Sequence, residues 1–191
     1  GGFNDPNFNS TGGSPLGITV SNGEYVKYES YSGPGGIIGF TDDNKLYLGK
    51  CSVQEAKSMG IRDAVTFGPF LIVNGKSSSV LGNGGWGSAP RTAIGQRKDG
   101  IVLFLVIDGR KATKFGADMD DMIRIMENYG AYNAANLDGG TSSVLVVDDV
   151  IVNDPIDSTG AHKTRPIATG FMLEKDDSDD SDHTLVEDKI K

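Results

Sequence analysis

Short apolar runs separated by turn residues make up most of this chain, and their lengths are typical of β-strands. Pairs such as Asn22-Gly23 and Asp148-Asp149 stand between neighbouring runs, where they favour tight hairpin turns. Gly68-Pro69 interrupts one run, so we expect a bend within that strand. The pattern predicts strands over residues 17–20, 24–28, 37–41, 45–49, 64–73, 91–95, 101–107, 143–147, 150–153 and 167–173, with a short strand within 131–137.

Two segments favour helices. Residues 52–55, Ser-Val-Gln-Glu, form a capping box, and Gly60 ends the short helix that the box begins. A second helix is expected over residues 118–129, with Gly130 as its stop. Apolar side chains recur on one face of this helix, which predicts packing against the core; they are Met119, Met122, Ile123 and Met126.

The arrangement of these elements indicates the fold class. The run 101–107 is apolar throughout, which predicts a central strand that is buried on both faces. Many strands with two helices indicate the α+β class, here a mixed β-sheet with helices packed against it. Glycine occurs 27 times, about twice its average usage, and clusters between the apolar runs. We therefore expect a loop-rich domain.

Composition and charge narrow the possible functions. The net charge is −8, which disfavours a nucleic-acid partner. The single cysteine, Cys51, excludes an internal disulfide and a cysteine-based zinc site. No apolar run approaches the ~20 residues that a membrane-spanning helix needs.

The two ends of the chain differ from its middle. Gly1-Gly2-Phe3 begins as though cut from inside a domain, so we expect the opening strands of the domain to lie upstream. Five acids fall within residues 176–182, which indicates a solvated tail or linker over 174–191. The folded domain is therefore assigned to residues 1–173, with a further module possible beyond the tail.

Familiar catalytic motifs are absent from the sequence. It contains no Gly-x-Ser-x-Gly elbow, no P-loop and no His-Glu-x-x-His zinc motif. A Ser-His-Asp triad would depend on His162, since the other histidine, His183, falls in the acidic tail. The remaining candidates are polar residues at the ends of apolar runs.

The most distinctive polar stretch is Asn136-Leu137-Asp138-Gly139-Gly140-Thr141-Ser142-Ser143. Backbone N–H groups of a Gly-Gly turn, together with Ser and Thr hydroxyls, suit the oxygens of a phosphate or a sugar. The alternative is a polar hairpin turn, which rarely gathers so many such residues. We favour a binding or catalytic role for this stretch.

Two further segments carry candidate residues. Asp108-Gly109-Arg110 directly follows the predicted strand 101–107, a position where α/β sheets place their sites, although Asp-Gly is also common in plain turns. Arg91-Thr92-Ala93-Ile94-Gly95 begins a strand after a Gly-rich loop. Arg91 offers a planar fork to a phosphodiester, or is a surface arginine. Arg165-Pro166 is a similar and weaker candidate.

Taken in order, these three segments resemble the phosphodiester glycosidase family, which occurs in bacterial envelope proteins and in the lysosomal mannose-6-phosphate uncovering enzyme. The resemblance extends to Gly116, to the segment 150–155 and to Arg165-Pro166, and so covers most of residues 1–173. Gly1-Gly2-Phe3 is similar to the end of the family's Asn-Gly-Gly-x-Phe segment. Thr141 departs from the family pattern, which often has a third glycine there.

The resemblance implies an α+β fold and a secreted or cell-envelope hydrolase that removes a sugar linked through phosphate. N-acetylglucosamine-1-phosphodiesters are the implied substrate class, with no cofactor and no metal ion. Asp108 and Asp138 are then the catalytic carboxylates. The expected substrate-binding residues are Arg91, Thr92, Arg110, Asn136, Gly139, Gly140, Ser142 and Ser143, with Asn136 also supporting Asp138.

Two other functions remain open at this point. A phosphodiesterase that cuts the P–O bond would hold a metal ion through Asp108, Asp138 and Asn136. A non-catalytic envelope module would bind phosphorylated glycans without turnover. The partner in every case is a phosphorylated glycan or sugar phosphate, and not a nucleic acid.

Overall fold

The computed structural model describes residues 15, 17–28, 32–80 and 87–174 of the 191-residue chain. Gly1-Gly2-Phe3 and the acidic tail after Glu174 lie outside the described residues, so the predictions on them stay predictions. No helix in the described ranges has the length and hydrophobicity needed to cross a bilayer.

The described elements are twelve strands, two helices and one 3-10 turn, Gly140–Ser142. The helices are α1 (Val53–Ser58) and α2 (Met119–Asn128). The strands are β1 (Ile18–Ser21), β2 (Glu24–Tyr28), β3 (Gly36–Thr41), β4 (Leu46–Gly49), β5 (Ile61–Phe67), β6 (Phe70–Val73), β7 (Lys76–Ser77), β8 (Arg91–Arg97), β9 (Val102–Ile107), β10 (Ala131–Asn136), β11 (Val146–Val147) and β12 (Val150–Ile151).

Ten of these strands form two five-stranded sheets, and β11 and β12 form a separate hairpin. The amino-terminal sheet has the order β2-β1-β5-β3-β4, and the carboxy-terminal sheet has the order β7-β6-β10-β8-β9. The α+β class is confirmed, but the single mixed sheet is replaced by two sheets whose described pairings are all antiparallel. Short turns can join antiparallel strands, whereas parallel neighbours need long crossovers. The predicted bend at Gly68-Pro69 falls between β5 and β6 and carries the chain from one sheet to the other.

The two sheets pack face to face between the helices. Alternate residues of β3 and β5 point to opposite sides, so that Ile37 and Ala64 join a core beside α1 while Ile38 and Val65 join the core between the sheets. In the carboxy-terminal sheet, Ile94 and Ala135 complete that central core, and their neighbours face α2. The layers therefore run α1, sheet, sheet, α2.

Both predicted helices are confirmed. Each begins at a reciprocal capping box, formed by Ser52 with Glu55 in α1 and by Asp118 with Asp121 in α2. The methionine face of α2 is buried against the carboxy-terminal sheet, with Met119, Met122, Ile123 and Met126 all in the core. Burial of this apolar face stabilises the short helix in its position on the sheet.

Two strand predictions are wrong. β9 is not central but lies at the edge of its sheet, where Phe104 is 43% exposed, because only β8 pairs with it among the described strands. Residues 167–173 form no strand. Phe171 instead packs edge-on against Phe40 of β3, with ring centroids 5.9 Å apart. Of the large apolar side chains in this run, Phe171 packs on a core, whereas Ile167, Met172 and Leu173 are exposed.

Antiparallel pairing gives the carboxy-terminal sheet two distinct ends. Arg91 at the start of β8 pairs with Ile107 at the end of β9, and Ala93 pairs with Asn136 at the end of β10. We call this the site end, since the polar segments identified in the sequence follow or begin the strands there. The opposite, far end carries the close of β6 and β8 and the start of β10.

Candidate active site

The 138–143 segment is fastened directly to the start of β8. The Leu137 N–H donates to the Thr92 carbonyl at 2.9 Å, and the Gly140 N–H donates to the Pro90 carbonyl at 2.8 Å. Gly140 has φ +61°, and a Cβ on Gly139 would lie 2.8 Å from the Pro90 carbonyl oxygen. The two glycines therefore serve a close backbone approach, and one of the N–H groups predicted to bind substrate is already engaged.

Asp138 is the buried acid of the site, at 8% exposure. Its Oδ2 accepts hydrogen bonds from Ser142 Oγ at 2.9 Å and from Arg165 Nη2 at 2.8 Å. Its Oδ1 is buried and has no hydrogen-bond partner among the described residues. Burial raises the pKa of Asp138 above the usual aspartate value, while the charge of Arg165 and the Ser142 hydroxyl oppose that rise.

Three other buried polar atoms near Asp138 are also without a partner in the described part of the chain: Thr92 Oγ1, Asn136 Oδ1 and Ser143 Oγ. Leaving such an atom unpaired costs roughly 1–3 kcal/mol. Of the five atoms of this kind in the described ranges, four lie on the start of β8 and on residues 136–143, two segments that are hydrogen-bonded to each other. Such a concentration is typical of a site that completes its hydrogen bonds with a ligand.

Asn136 is held in place by its amide nitrogen. Nδ2 donates to the Gly68 carbonyl at 2.8 Å, and the Asn136 backbone N–H donates to the Pro69 carbonyl at 3.0 Å. The bend between β5 and β6 thus fixes the side chain that precedes Asp138 in the motif. Its free Oδ1 remains an acceptor for a ligand N–H or O–H.

Asp108 occupies a different environment, partly exposed after β9. Its carboxylate accepts from Asn153 Nδ2 at 3.0 Å and from the Asp154 N–H at 3.1 Å, with Lys111 Nζ at 3.7 Å. Asn153 Nδ2 also donates to the Ser143 carbonyl at 2.9 Å. Asp108 is therefore joined to the 138–143 segment through Asn153, a residue that sequence reasoning gave no role. The only signal for it was its place in the 150–155 segment.

Arg91, Arg110 and Arg165 lie near the site, and they differ in their hydrogen-bond partners. Arg91 is 5% exposed, and its guanidinium donates to the carbonyls of Ala117 at 3.0 Å and Gly87 at 2.5 Å. Burial lowers the pKa of Arg91, and the nearby Asp118 carboxylate opposes that change. In the structure, Arg91 thus ties the start of β8 to the approach to α2.

Arg110 and Arg165 face the 138–143 segment more directly. Arg110 Nη1 donates to Thr141 Oγ1 at 3.0 Å and to the Ile156 carbonyl at 2.9 Å. Arg165 donates through Nε to Ser142 Oγ at 2.7 Å as well as through Nη2 to Asp138. Arg165 was only a weak sequence candidate, yet it is the cation on the buried acid. A buried aspartate needs a cationic or hydrogen-bonding partner, so the sequence could indicate that such a partner exists. It could not identify Arg165 as that partner.

A protein-bound metal ion needs several suitable side-chain donors close together. The described residues bring together no group of three or more His, Cys, Asp or Glu side chains. Asp108 and Asp138 are each bound to nitrogen donors, namely Asn153 and the Asp154 backbone for the first and Arg165 for the second.

The sequence as a whole shows which family this fold and site belong to. The chain belongs to the phosphodiester glycosidase family, whose sequence model matches residues 1–174. It is similar in structure to the catalytic domain of zebrafish N-acetylglucosamine-1-phosphodiester alpha-N-acetylglucosaminidase, auto-inhibited by its pro-peptide, with a TM-score of 0.69 and 21% identity over 87% of this chain and 59% of that one.

Among curated proteins, the chain is 30% identical over 151 residues to the SPbeta prophage-derived uncharacterized protein YomE of Bacillus subtilis (strain 168). That match covers 74% of this chain and 23% of the relative. A putative exported protein of Burkholderia pseudomallei K96243 is similar over 72% of this chain and 38% of that one, at 23% identity and a TM-score of 0.45. The chain thus spans under a quarter of the curated relative and 59% of the zebrafish domain.

Proposed function

We propose that this protein hydrolyses the glycosidic bond of a sugar-1-phosphodiester, of the N-acetylglucosamine-1-phosphodiester type, in cell-envelope or exopolysaccharide metabolism. Membership of the phosphodiester glycosidase family supports the reaction type. The observation that carries the proposal is Asp138, with one carboxylate oxygen held by Arg165 and Ser142 and the other buried without a partner. An extracellular or envelope location belongs to the same proposal.

Asp138 is suited to act on the anomeric carbon. Burial raises its pKa, so its carboxylate is a stronger base than that of a solvent-exposed aspartate and is better suited to take a proton from water. Oδ1 is the oxygen available to attack that carbon or to activate water, because Arg165 and Ser142 fix Oδ2. A phosphate leaving group departs readily, so the reaction asks less of a general acid than ordinary glycoside hydrolysis does.

The surrounding polar atoms supply binding. The Thr92 and Ser143 hydroxyls would donate hydrogen bonds to the sugar or accept them from it, and Asn136 Oδ1 would accept them. Arg110, exposed beside Gly140, and the partly exposed Arg165 present guanidinium groups to the phosphodiester, with the buried Arg91 supporting the strand behind them. Asp108 remains the second carboxylate, and its bonds to Asn153 give it a positioning role as well.

The identity of the reaction product tests the proposed function. Purified protein is incubated with UDP-N-acetylglucosamine, and free sugar is measured against sugar-1-phosphate with and without EDTA. We expect free N-acetylglucosamine at the same rate in both conditions, and none from Asp138→Asn. Sugar-1-phosphate that disappears with EDTA would establish the metal-dependent phosphodiesterase instead. Glycan binding without any product, unaffected by Asp138→Asn, would establish the non-catalytic module.

A further inference from the structure

A second groove lies at the far end of the carboxy-terminal sheet, away from Asp138. Its volume is about 780 Å³, and it is formed by the turns that close β6, β8 and α2. The strand β10 runs from this groove, at Ala131, to the candidate site, at Asn136. Five residue steps of a strand span roughly 17 Å, so the groove is a separate location.

Hydrogen bonds from backbone N–H groups hold the walls of the groove. The Gly75 N–H donates to the Tyr132 carbonyl at 2.7 Å, and the Asn74 N–H donates to Asn133 Oδ1 at 2.7 Å. Asn74 and Gly75 have φ angles of 50° and 74°, and Gly130, across the groove, has φ 77°. The turns are therefore fixed before any ligand arrives, which lowers the entropic cost of binding.

The side chains in this groove combine aromatic rings, amides and cations. Tyr129 and Tyr132 are partly exposed, and Asn74 and Asn128 place exposed amides beside them. Gly75 packs against the Tyr132 ring, where an added Cβ would lie 3.1 Å from Cε2. A ring face with nearby amides is suited to a sugar ring and its hydroxyls, because it offers apolar contact together with hydrogen bonds.

The charges in the groove favour an anionic ligand. Lys98 Nζ lies 4.8 Å from the Tyr132 ring centroid, and Arg97 Nη2 is 2.5 Å from Asp99 Oδ2. Two cations against one acid give a local positive balance on a chain with net charge −8. This local balance favours an anionic ligand over a neutral one.

We propose that this groove is a second binding site for an anionic oligosaccharide, in which a sugar packs against the exposed part of Tyr132 and a phosphate or carboxylate pairs with Lys98. Such a site holds a polymer at a point distant from Asp138 and raises its effective concentration at the candidate active site. The binding itself does not require the proposed reaction, and it is measured with catalysis removed.

The experiment is affinity electrophoresis in gels that contain N-acetylglucosamine-decorated poly(glycerol phosphate), with every variant built on Asp138→Asn. We expect Tyr132→Ala and Lys98→Glu each to weaken binding about five- to tenfold, and Tyr132→Phe to retain it. Lys98 is exposed, so its variant folds even if Tyr132→Ala does not. Tyr25→Ala is the matched control, because Lys57 Nζ lies 4.9 Å from the Tyr25 ring centroid in an equivalent pair beside α1.

Three outcomes would overturn the assignment. The first is no retardation of the Asp138→Asn parent by the polymer. The second is an equal loss of binding in Tyr25→Ala. The third is retention on a single-stranded oligonucleotide in place of the glycan, which would make the groove a nucleic-acid site. None of these depends on whether UDP-N-acetylglucosamine is hydrolysed, so failure of this site and failure of the proposed reaction remain distinguishable.

Discussion

The two carboxylates of the site differ in their surroundings, and that difference separates their roles at the scale of single residues. Asp138 is buried with one free oxygen, whereas Asp108 is partly exposed and bound to the segment that follows β12. Free acceptor capacity beside a cation is what a reacting carboxylate needs. The bonds of Asp108 to Asn153 and to the Asp154 N–H suit it to a positioning role in addition to its role as the second carboxylate.

Substitution of each aspartate by asparagine tests whether both carboxylates are required for turnover. We expect Asp138→Asn to lower kcat by a factor of about 10³ or more, because it removes the proton-transferring or attacking group. Asp108→Asn is also expected to abolish measurable turnover, since it weakens the link through Asn153 to Ser143. Steady-state kinetics give the rates, and circular dichroism checks that both variants fold. Full activity in Asp138→Asn would remove that residue from the mechanism.

The charge on Arg165 sets the titration of Asp138. Arg165 favours the ionised carboxylate, so Arg165→Gln should raise the pKa of Asp138 further and move the corresponding limb of the kcat/KM profile to higher pH. Arg165→Lys keeps the charge and should leave the limb near its original place, while losing the paired contacts to Ser142 and Asp138. An unmoved limb in the glutamine variant would mean that another group titrates.

The Arg165→Gln substitution is also expected to change how the stability of the protein depends on pH. Because the folded pKa of Asp138 is raised, the folded state binds more protons than the unfolded state between the two values. The contribution of Asp138 to stability therefore falls as pH rises from the ordinary aspartate range through the raised folded pKa. Arg165→Gln should deepen this loss, so its melting temperature should drop most above that range and recover on acidification.

At the scale of elements, the turn at Gly139-Gly140 depends on the absence of side chains. A Cβ on Gly139 would meet the Pro90 carbonyl oxygen at 2.8 Å, and backbone cannot yield as a flexible side chain does. We expect Gly139→Ala to cost about 1–3 kcal/mol in unfolding free energy and to lower activity by displacing Asp138. Gly170→Ala is the control, since nothing lies within 4 Å of its added Cβ. Urea denaturation compares the two.

Elements defined by local chemistry could be predicted from the sequence, and those defined by distant partners could not. The capping box at Ser52 and the turns at Asn22-Gly23 and Asp148-Asp149 depend on residues close together in the chain, and the structure contains them. The edge position of β9 depends on β8 and β10, whose order no local pattern encodes. For the same reason, the sequence located the 136–143 segment but not Arg165, which reaches it from 27 residues beyond Asp138.

At the scale of the whole molecule, the segment that carries Arg165 connects the site to both sheets. Phe171 joins the core between the sheets, where Ile38 of the amino-terminal sheet meets Ile94 of the carboxy-terminal one. Six residues earlier, Arg165 contacts Asp138 and Ser142. Docking of this segment should therefore contribute to stability and to the geometry of the site together.

Phe171→Ala tests this connection. Its ring meets that of Phe40 at an interplanar angle of 86°, so truncation should lose about 1–2 kcal/mol of unfolding free energy through lost packing and the edge contact. Turnover should fall as well, because Arg165 is then less firmly placed on Asp138. Leu173→Ala is the matched control, since Leu173 is 78% exposed and should change neither quantity. Calorimetry and UDP-N-acetylglucosamine hydrolysis measured on the same samples decide the matter: a destabilised Phe171→Ala with unchanged kcat would mean that Arg165 is held by its own contacts at the site, independently of the core.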